Sequence, residues 1–143
     1  MITWGDPRWG GDSSSVLDKI SSGVSRVYGN NNAFAALKQD GSVVTWGDPS
    51  LGGDSSAVAD GLRSGVVEVM YTPFAFAALK SDGSVVTWGA SSAGGDSSAV
   101  SAKLTSGVVA FANPFIDEAL TSNSAPTDIT LTSSGITENS PGG

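Results

Sequence analysis

Apolar residues cluster on both sides of two Asp-Gly pairs, Asp40-Gly41 and Asp82-Gly83. The flanking stretches 33–47 and 75–89 are almost identical, and each contains two short apolar runs separated by the Asp-Gly pair. Side chains of a strand alternate between two faces, so each stretch predicts a β-hairpin. Asp-Gly favours a two-residue type I′ turn, because both central residues of that turn take a positive φ.

The length of the predicted turn fixes which residues pair across the hairpin. A two-residue loop pairs Leu37 with Val44 and Ala35 with Trp46, and the second hairpin repeats both pairs 42 residues later. Paired residues share one face, and a small alanine opposite each tryptophan leaves room for the indole. The prediction is therefore a hairpin with one strongly apolar face, in which the tryptophans belong to the core.

The hairpins belong to a pattern that repeats every 42 residues. Three motifs, Thr-Trp-Gly, Gly-Gly-Asp-Ser and Ser-Gly-Val, begin at positions 3, 10 and 22, and each returns twice at this spacing. One tryptophan recurs at the same repeat position, as Trp4, Trp46 and Trp88. We expect these residues to belong to the core rather than to form a surface that stacks on sugars. Motifs that keep one register indicate successive similar units, each of which packs on its neighbours.

A short helix is predicted in each unit. Asp12, Asp54 and Asp96 stand where an N-cap accepts hydrogen bonds from the first-turn amides. A glycine about ten positions later supplies the left-handed residue that ends a helix. A strand is predicted after each helix, over residues 24–28, 66–71 and 108–112. Each unit is thus expected to contain a strand, a hairpin, a loop and a short helix.

The repeat pattern weakens towards both ends of the chain. Residues 1–4 match the second arm of a hairpin whose first arm is missing, and the pattern is lost near Leu120. We therefore expect three partial repeats over residues 1–120, a polar linker over 121–125 and the start of another domain over 126–143. So short a tail cannot bury a core, which favours a fragment of a longer protein.

Composition excludes several classes of function. The chain has 143 residues, a net charge of −7 and a pI near 4.2, so it would repel a phosphate backbone and is not expected to bind nucleic acid. It has no histidine and no cysteine, which excludes His-based triads, thiol nucleophiles, ordinary zinc sites and disulfides. No apolar run suits a membrane span, and no export signal is apparent.

Carboxylates are the remaining candidates for catalysis. The repeated aspartates are explained as helix caps and turn residues. Asp117 and Glu118 are adjacent, so on a strand they face opposite sides and make a poor acid–base pair. The Gly-Gly pairs lack the lysine of a phosphate-binding loop. We therefore do not expect an enzyme.

The stretch 78–89, Ala-Leu-Lys-Ser-Asp-Gly-Ser-Val-Val-Thr-Trp-Gly, resembles the repeat of the regulator-of-chromosome-condensation family. The resemblance covers residues 1–112 and implies units like the blades of a β-propeller. Because propellers have at least about four blades, three partial units imply an incomplete or open propeller. The chain lacks the family's histidine before the first strand, and Gly-Gly-Asp-Ser replaces Gly-Gln-Leu-Gly. The nucleotide-exchange activity of that family is therefore not expected.

Two further resemblances point to large bacterial proteins. The Gly-Gly-Asp-Ser-Ser-Ala-Val repeat looks like arrays in very large bacterial and cyanobacterial surface proteins. The tail from Ala125 to Pro141 resembles the opening of bacterial cadherin-like domains, whose Glu-Asn-x-Pro motif supplies a calcium ligand. The motif falls on Glu138, which implies an incomplete calcium site, since calcium takes about six to eight oxygen ligands. No cofactor is otherwise expected in this fragment.

Two functions remain open. The first is a non-catalytic structural or adhesive module of a large exported bacterial protein, located outside the cell or at its surface. The alternative is a platform that binds a glycan or a protein through the variable loops 6–9, 48–51 and 90–93. Arg8, Trp9 and Leu51 are the candidate contact residues. Trp9 has no aromatic counterpart in the other two loops, so we expect it to be exposed.

Overall fold

The computed structural model describes residues 1–111, in which six strands form two three-stranded antiparallel sheets. The first sheet contains β1 (Val24–Gly29), β2 (Ala33–Lys38) and β3 (Val43–Gly47) in that order. The second contains β4 (Val66–Thr72), β5 (Ala75–Lys80) and β6 (Val85–Gly89) in that order. The predicted mainly β class is confirmed.

Several predictions concern residues outside this described range. They are the linker over 121–125, the separate domain over 126–143 and the calcium ligand Glu138. The end of the repeats near Leu120 also lies outside it.

Short helices join the strands, and most of them are 3-10 helices. The connecting helices follow the repeated aspartates and comprise Ser14–Val16 continued by α1 (Leu17–Ile20), Ser56–Leu62 and Ser98–Lys103. The loop helices precede those aspartates and comprise Pro7–Trp9, Pro49–Leu51 and Ser91–Ala93. The predicted helix positions are confirmed. The tighter 3-10 form is common in pieces of this length.

The repeated aspartates lie one residue before the N-cap of each connecting helix, whereas the sequence predicted them at the N-cap itself. The Asp12 carboxylate accepts the Ser14 amide at 2.8 Å, and Asp54 and Asp96 make the same bond at 2.9 Å. The N-cap position belongs to the serine that follows each aspartate. A bond from residue i to the amide of i+2 is an Asx turn, so the predicted N-cap assignment is wrong by one residue.

The hairpin turns have three loop residues, and the predicted type I′ turn is wrong. The Gly41 amide donates to the Lys38 carbonyl at 3.0 Å, and the Lys38 amide donates to the Ser42 carbonyl at 2.8 Å. With Gly41 at φ 82°, this is a three-residue loop closed by a glycine bulge. Asp40 favours the longer loop, because its Oδ1 accepts both the amide and the hydroxyl of Ser42.

The extra loop residue shifts the register of both hairpins by one. Trp46 pairs with Phe34 and Trp88 pairs with Phe76, so the predicted Ala35–Trp46 pair and every other predicted pair are wrong. A one-residue shift moves the side chains of one strand to the other face relative to its partner. Each tryptophan therefore stacks on a phenylalanine, with ring centroids 5.4 and 5.3 Å apart.

Both faces of the first sheet are packed, whereas one apolar face was predicted. Ala36 and Trp46 on one face pack with Ile20 of α1. The other face packs against the second sheet and the connecting helix before it, in a cluster of Ala33, Ala35, Leu37, Leu62, Val66, Val69, Phe76, Ala78 and Trp88. A sheet covered on both faces needs apolar residues at consecutive positions, as β2 and β5 have.

Two of the predicted strands are missing among the described residues. Residues 1–4 and 108–111 form no strand, although 108–112 was predicted to form one. The Val108 amide does donate to the Gly83 carbonyl at 3.0 Å, as the Val66 amide does to Gly41 at 2.9 Å. A strand requires a paired neighbour, and neither segment has one within residues 1–111.

The three repeated tryptophans differ in burial. Trp46 and Trp88 are buried as predicted, but Trp4 is 84% exposed, so its assignment to the core is wrong. Trp46 and Trp88 each stack on a phenylalanine of a central strand. Trp4 belongs to a segment that has no such strand beside it within the described residues.

Replacing the buried tryptophans tests this difference. Trp46→Ala and Trp88→Ala should each lower the free energy of unfolding by about 3–5 kcal/mol, because each leaves a large cavity. Trp4→Ala, the same change at the matching repeat position, should stay within about 0.5 kcal/mol of the parent. Urea unfolding of the three variants measures these values. Equal losses at all three positions would contradict the assigned core.

Candidate functional site

The three loop helices share one backbone structure. In the first, the amides of Trp9 and Gly11 both donate to the Asp6 carbonyl, at 3.0 and 2.9 Å. The corresponding bonds measure 3.1 and 2.8 Å in the second loop helix and 3.0 and 2.9 Å in the third. A glycine with positive φ follows each loop helix. The backbone is therefore constant while the side chains vary, which is the arrangement expected of a recognition surface.

Arg8 and Trp9 come together in the first loop helix. Arg8 Nη2 donates to Asp6 Oδ2 at 2.7 Å and Nε donates to Oδ1 at 3.1 Å, a bidentate pair. The Arg8 guanidinium lies 5.4 Å from the centre of the Trp9 ring, within the range of a cation–π contact. Asp6 thus holds the guanidinium beside the indole.

The contact between Asp6 and Arg8 shifts the pKa of both side chains. Hydrogen bonds from the Arg8 side chain, followed by the bond from its backbone amide, lower the pKa of Asp6 to about 2. The same contact raises the pKa of Arg8. Both side chains are solvent-accessible, so the pair is an exposed feature and contributes little to stability.

The candidate contact residues do not form one site. Trp9 is 49% exposed, which agrees with the predicted exposure, and Arg8 beside it is also exposed. Leu51 occupies the matching position of the second loop helix and takes no part in the Arg8–Trp9 contact. Its carbonyl accepts a hydrogen bond from Asn30 Nδ2 at 2.8 Å. Leu51 is half-buried, and this bond ties its backbone to the turn between β1 and β2.

The other two loop helices offer less chemistry to a ligand. In the second, Asp48 accepts the amide and the hydroxyl of Ser50, at 2.9 and 2.7 Å. The third, Ser91–Ala93, contains only serine and alanine and carries no charged side chain. Among the three loops, the exposed aromatic and the cation therefore occur together only in the first.

The base of each of the first two loops is fixed by a contact that the sequence did not predict. Trp46 Nε1 donates to the Gly10 carbonyl at 3.0 Å, and Trp88 Nε1 donates to the Gly52 carbonyl at 3.1 Å. A side chain at Gly10 would collide with the Phe34 ring. The available signal was the constant spacing of 36 residues between this glycine and the tryptophan that meets it.

The repeated aspartates are engaged in turns. Each accepts a bond from the serine two residues later, and these bonds lower the pKa of each carboxyl: Asp12, Asp40, Asp54, Asp82 and Asp96. The backbone amide is the larger cause at Asp12, and the serine hydroxyl is the larger cause at the others. Within residues 1–111, no three acidic, histidine or cysteine side chains group together as a metal would require.

No protein-family model matches the chain, and no curated protein matches it. None of the helices in the described part of the chain is long and apolar enough to cross a membrane.

The Asp6–Arg8 pair predicts a defined pH response. Arg8→Ala should raise the Asp6 pKa from about 2 towards its ordinary value of 3.8 without reaching it, because the residue-8 amide still donates to the carboxylate. The lowered pKa stabilises the parent above about pH 4, and this advantage should disappear as the pH falls towards 2. Carboxyl NMR titration measures the shift, with Asp12 as the control that should not move. An unchanged Asp6 pKa would contradict the pairing.

Proposed function

We propose that this chain is a non-catalytic structural and adhesive module of a large exported bacterial protein, built from repeats like the blades of a β-propeller. The observation that carries the proposal is the buried bond between neighbouring units. The Trp46 indole donates to Gly10 and the Trp88 indole to Gly52, each across 36 residues. A unit whose buried indole hydrogen bond goes to the neighbouring unit is suited to extending an array.

The polar side chains also support a structural role. Thr45 Oγ1 lies 2.9 Å from Ser55 Oγ and donates to the Gly53 carbonyl, and Thr87 makes the matching bonds with Ser97 and Gly95. Together with the aspartates in turns, these residues account for the repeated polar positions. Few of the repeated polar side chains are left to take part in a reaction, which favours a non-catalytic role.

The wider assignment rests on the resemblances to bacterial surface arrays and cadherin-like domains. On this proposal the sheets are blades of an open or incomplete propeller, located outside the cell. The tail over 126–143 begins a cadherin-like domain in which Glu138 serves as a calcium ligand. Sequencing the gene on both sides of the region that encodes residues 1–143 tests this part of the proposal directly.

Adding one unit tests the repeat packing. A second copy of residues 48–89 inserted after Gly89 adds one sheet and one tryptophan–glycine contact, so stability should rise by one unit and one junction. In urea, the unfolding midpoint and the m value should both increase within a single transition.

The matched control carries Trp88→Ala in the inserted copy alone, which should cancel most of the gain. A separate second transition, or an unchanged midpoint, would mean that the units fold independently and would contradict the proposal.

The second candidate function is a binding platform centred on Arg8 and Trp9. The observation that favours it is the half-exposed indole held beside an exposed guanidinium. An indole stacks on the apolar face of a sugar ring, and Arg8 Nη1, which takes no part in the bidentate pair with Asp6, offers donors to a carboxylate, so an acidic glycan suits the pair.

Binding of acidic oligosaccharides tests this candidate. Trp9→Ala and Arg8→Ala should each weaken binding at least about tenfold, because each removes one half of the contact, whereas Val67→Ala on an exposed strand position should leave it unchanged. Isothermal titration measures the affinities. Affinity that is equal in all three variants would exclude the Arg8–Trp9 surface.

A further inference from the structure

Two of the three loop helices begin with an Asp–Pro peptide bond. The bonds are Asp6–Pro7 and Asp48–Pro49, and the third loop helix has Ala90–Ser91 in the same place. A peptide bond to proline is a tertiary amide whose nitrogen carries no hydrogen. This nitrogen accepts a proton more readily than an ordinary peptide nitrogen, which makes it the better leaving group in acid.

A carboxylate is held beside the second of these bonds. Asp48 Oδ1 accepts the Ser50 amide at 2.9 Å and the Ser50 hydroxyl at 2.7 Å. The ring of atoms closed by the bond to the amide contains the Asp48 carbonyl carbon and the Pro49 nitrogen, so the carboxylate stays close to the Asp48–Pro49 bond. Within residues 1–111, Asp48 Oδ2 takes part in no hydrogen bond or ion pair, and this oxygen is free to attack.

Two backbone amides polarise the carbonyl group of the same peptide bond. The amides of Leu51 and Gly53 donate to the Asp48 carbonyl oxygen at 3.1 and 2.8 Å. Two amides aimed at one carbonyl oxygen at about this distance stabilise the oxyanion of a tetrahedral intermediate. Residue 53 must be glycine for its amide to come this close, since a Cβ there would lie 2.8 Å from the Asp48 oxygen.

We infer that the chain cleaves its own Asp48–Pro49 bond in mild acid. Asp48 Oδ2 attacks the Asp48 carbonyl carbon and forms a five-membered cyclic anhydride, while the C–N bond breaks and the Pro49 nitrogen takes a proton from solution. Water then opens the anhydride, which leaves two carboxyl groups on residue 48 and a secondary amine on residue 49. One water molecule is consumed, and nothing is oxidised or reduced. This single turnover of the chain on itself does not rest on the proposed function.

The surroundings of Asp48 contain little charge that could alter this reaction. Among the described residues, none forms an ion pair with Asp48. The turn over residues 30–32, which bonds to the Asp48 amide and the Leu51 carbonyl, contains only asparagines. The reaction needs an ionised carboxylate and a proton for the leaving nitrogen, which favours a weakly acidic solution.

The first loop helix has the same carbonyl geometry but a different carboxylate environment. The Trp9 and Gly11 amides donate to the Asp6 carbonyl at 3.0 and 2.9 Å. The Arg8 guanidinium, however, donates to both carboxylate oxygens of Asp6, so neither is free to attack. Asp6–Pro7 should therefore be cleaved more slowly than Asp48–Pro49 in the folded chain.

Incubation of the full chain in acid tests the inference, at the lowest pH above about 4 at which circular dichroism shows it folded. Mass spectrometry of denatured samples should detect residues 1–48 and 49–143 as the main products. In urea at the same pH, this cleavage should slow about tenfold or more, because the unfolded chain loses both amide donors. No cleavage of the folded chain, or an equal or higher rate in urea, would overturn the inference.

Substitutions copied from the third loop helix supply the matched controls. Ala90 has nearly the same φ and ψ as Asp48, and its carbonyl accepts the same two amides, so Asp48→Ala and Pro49→Ser should keep the fold. Each should slow cleavage after residue 48 about tenfold or more, because one removes the nucleophile and the other the tertiary amide. Cleavage that persists unchanged in Asp48→Ala would overturn the inference.

Arg8→Ala tests the requirement for a free carboxylate oxygen. It releases Asp6 Oδ2, so cleavage of Asp6–Pro7 should rise about tenfold towards the rate at Asp48–Pro49, which should itself stay unchanged. Equal rates at the two bonds in the folded parent would contradict the role assigned to the free oxygen of Asp48. An Asp6–Pro7 rate that Arg8→Ala leaves unchanged would contradict it as well.

Discussion

A buried hydrogen bond from an indole to a glycine carbonyl organises this structure. Trp46 Nε1 reaches Gly10 and Trp88 Nε1 reaches Gly52, and both bonds are buried. A buried indole N–H without an acceptor is costly, so the carbonyl that it reaches must stay in place. The bond therefore fixes each hairpin on the loop helix that precedes its sheet in the chain.

Several other features follow from that constraint. The glycine must lack a side chain, because the phenylalanine that stacks on each tryptophan fills the space above it. The hairpin register must bring that phenylalanine opposite the tryptophan, which the three-residue turn achieves. The first sheet then has two packed faces, one towards α1 and the other towards the second sheet.

The sequence was sufficient to predict the β class, the two hairpins, the positions of the short helices and the burial of Trp46 and Trp88. It was not sufficient to predict the turn, because Asp-Gly suits both a two-residue and a three-residue loop, and the choice rests on the bonds from Asp40 to Ser42. The one extra loop residue shifted every predicted cross-strand pair by one position. Trp4 was misassigned because repetition predicts equivalent positions, whereas burial depends on a neighbouring strand.

The exposure of Trp9 was predictable, whereas the role of Arg8, Trp9 and Leu51 as contact residues stays a prediction. The exposure of Trp9 followed from its lack of an aromatic counterpart, but the position of Arg8 beside the indole depends on the bidentate bond to Asp6, which spacing alone does not reveal. Leu51 was included as a counterpart of Trp9, yet it is half-buried and its carbonyl accepts a hydrogen bond from Asn30 in the turn between β1 and β2.

Hydrogen exchange of the four indole N–H groups, followed by NMR, is the most direct measurement of the central claim. In the folded chain, Trp46 and Trp88 should exchange slowly, because their N–H groups are buried and bonded. Trp4 and Trp9 should exchange at rates close to those of exposed indoles. Rapid exchange at Trp46 and Trp88, in a chain that remains folded, would contradict the account.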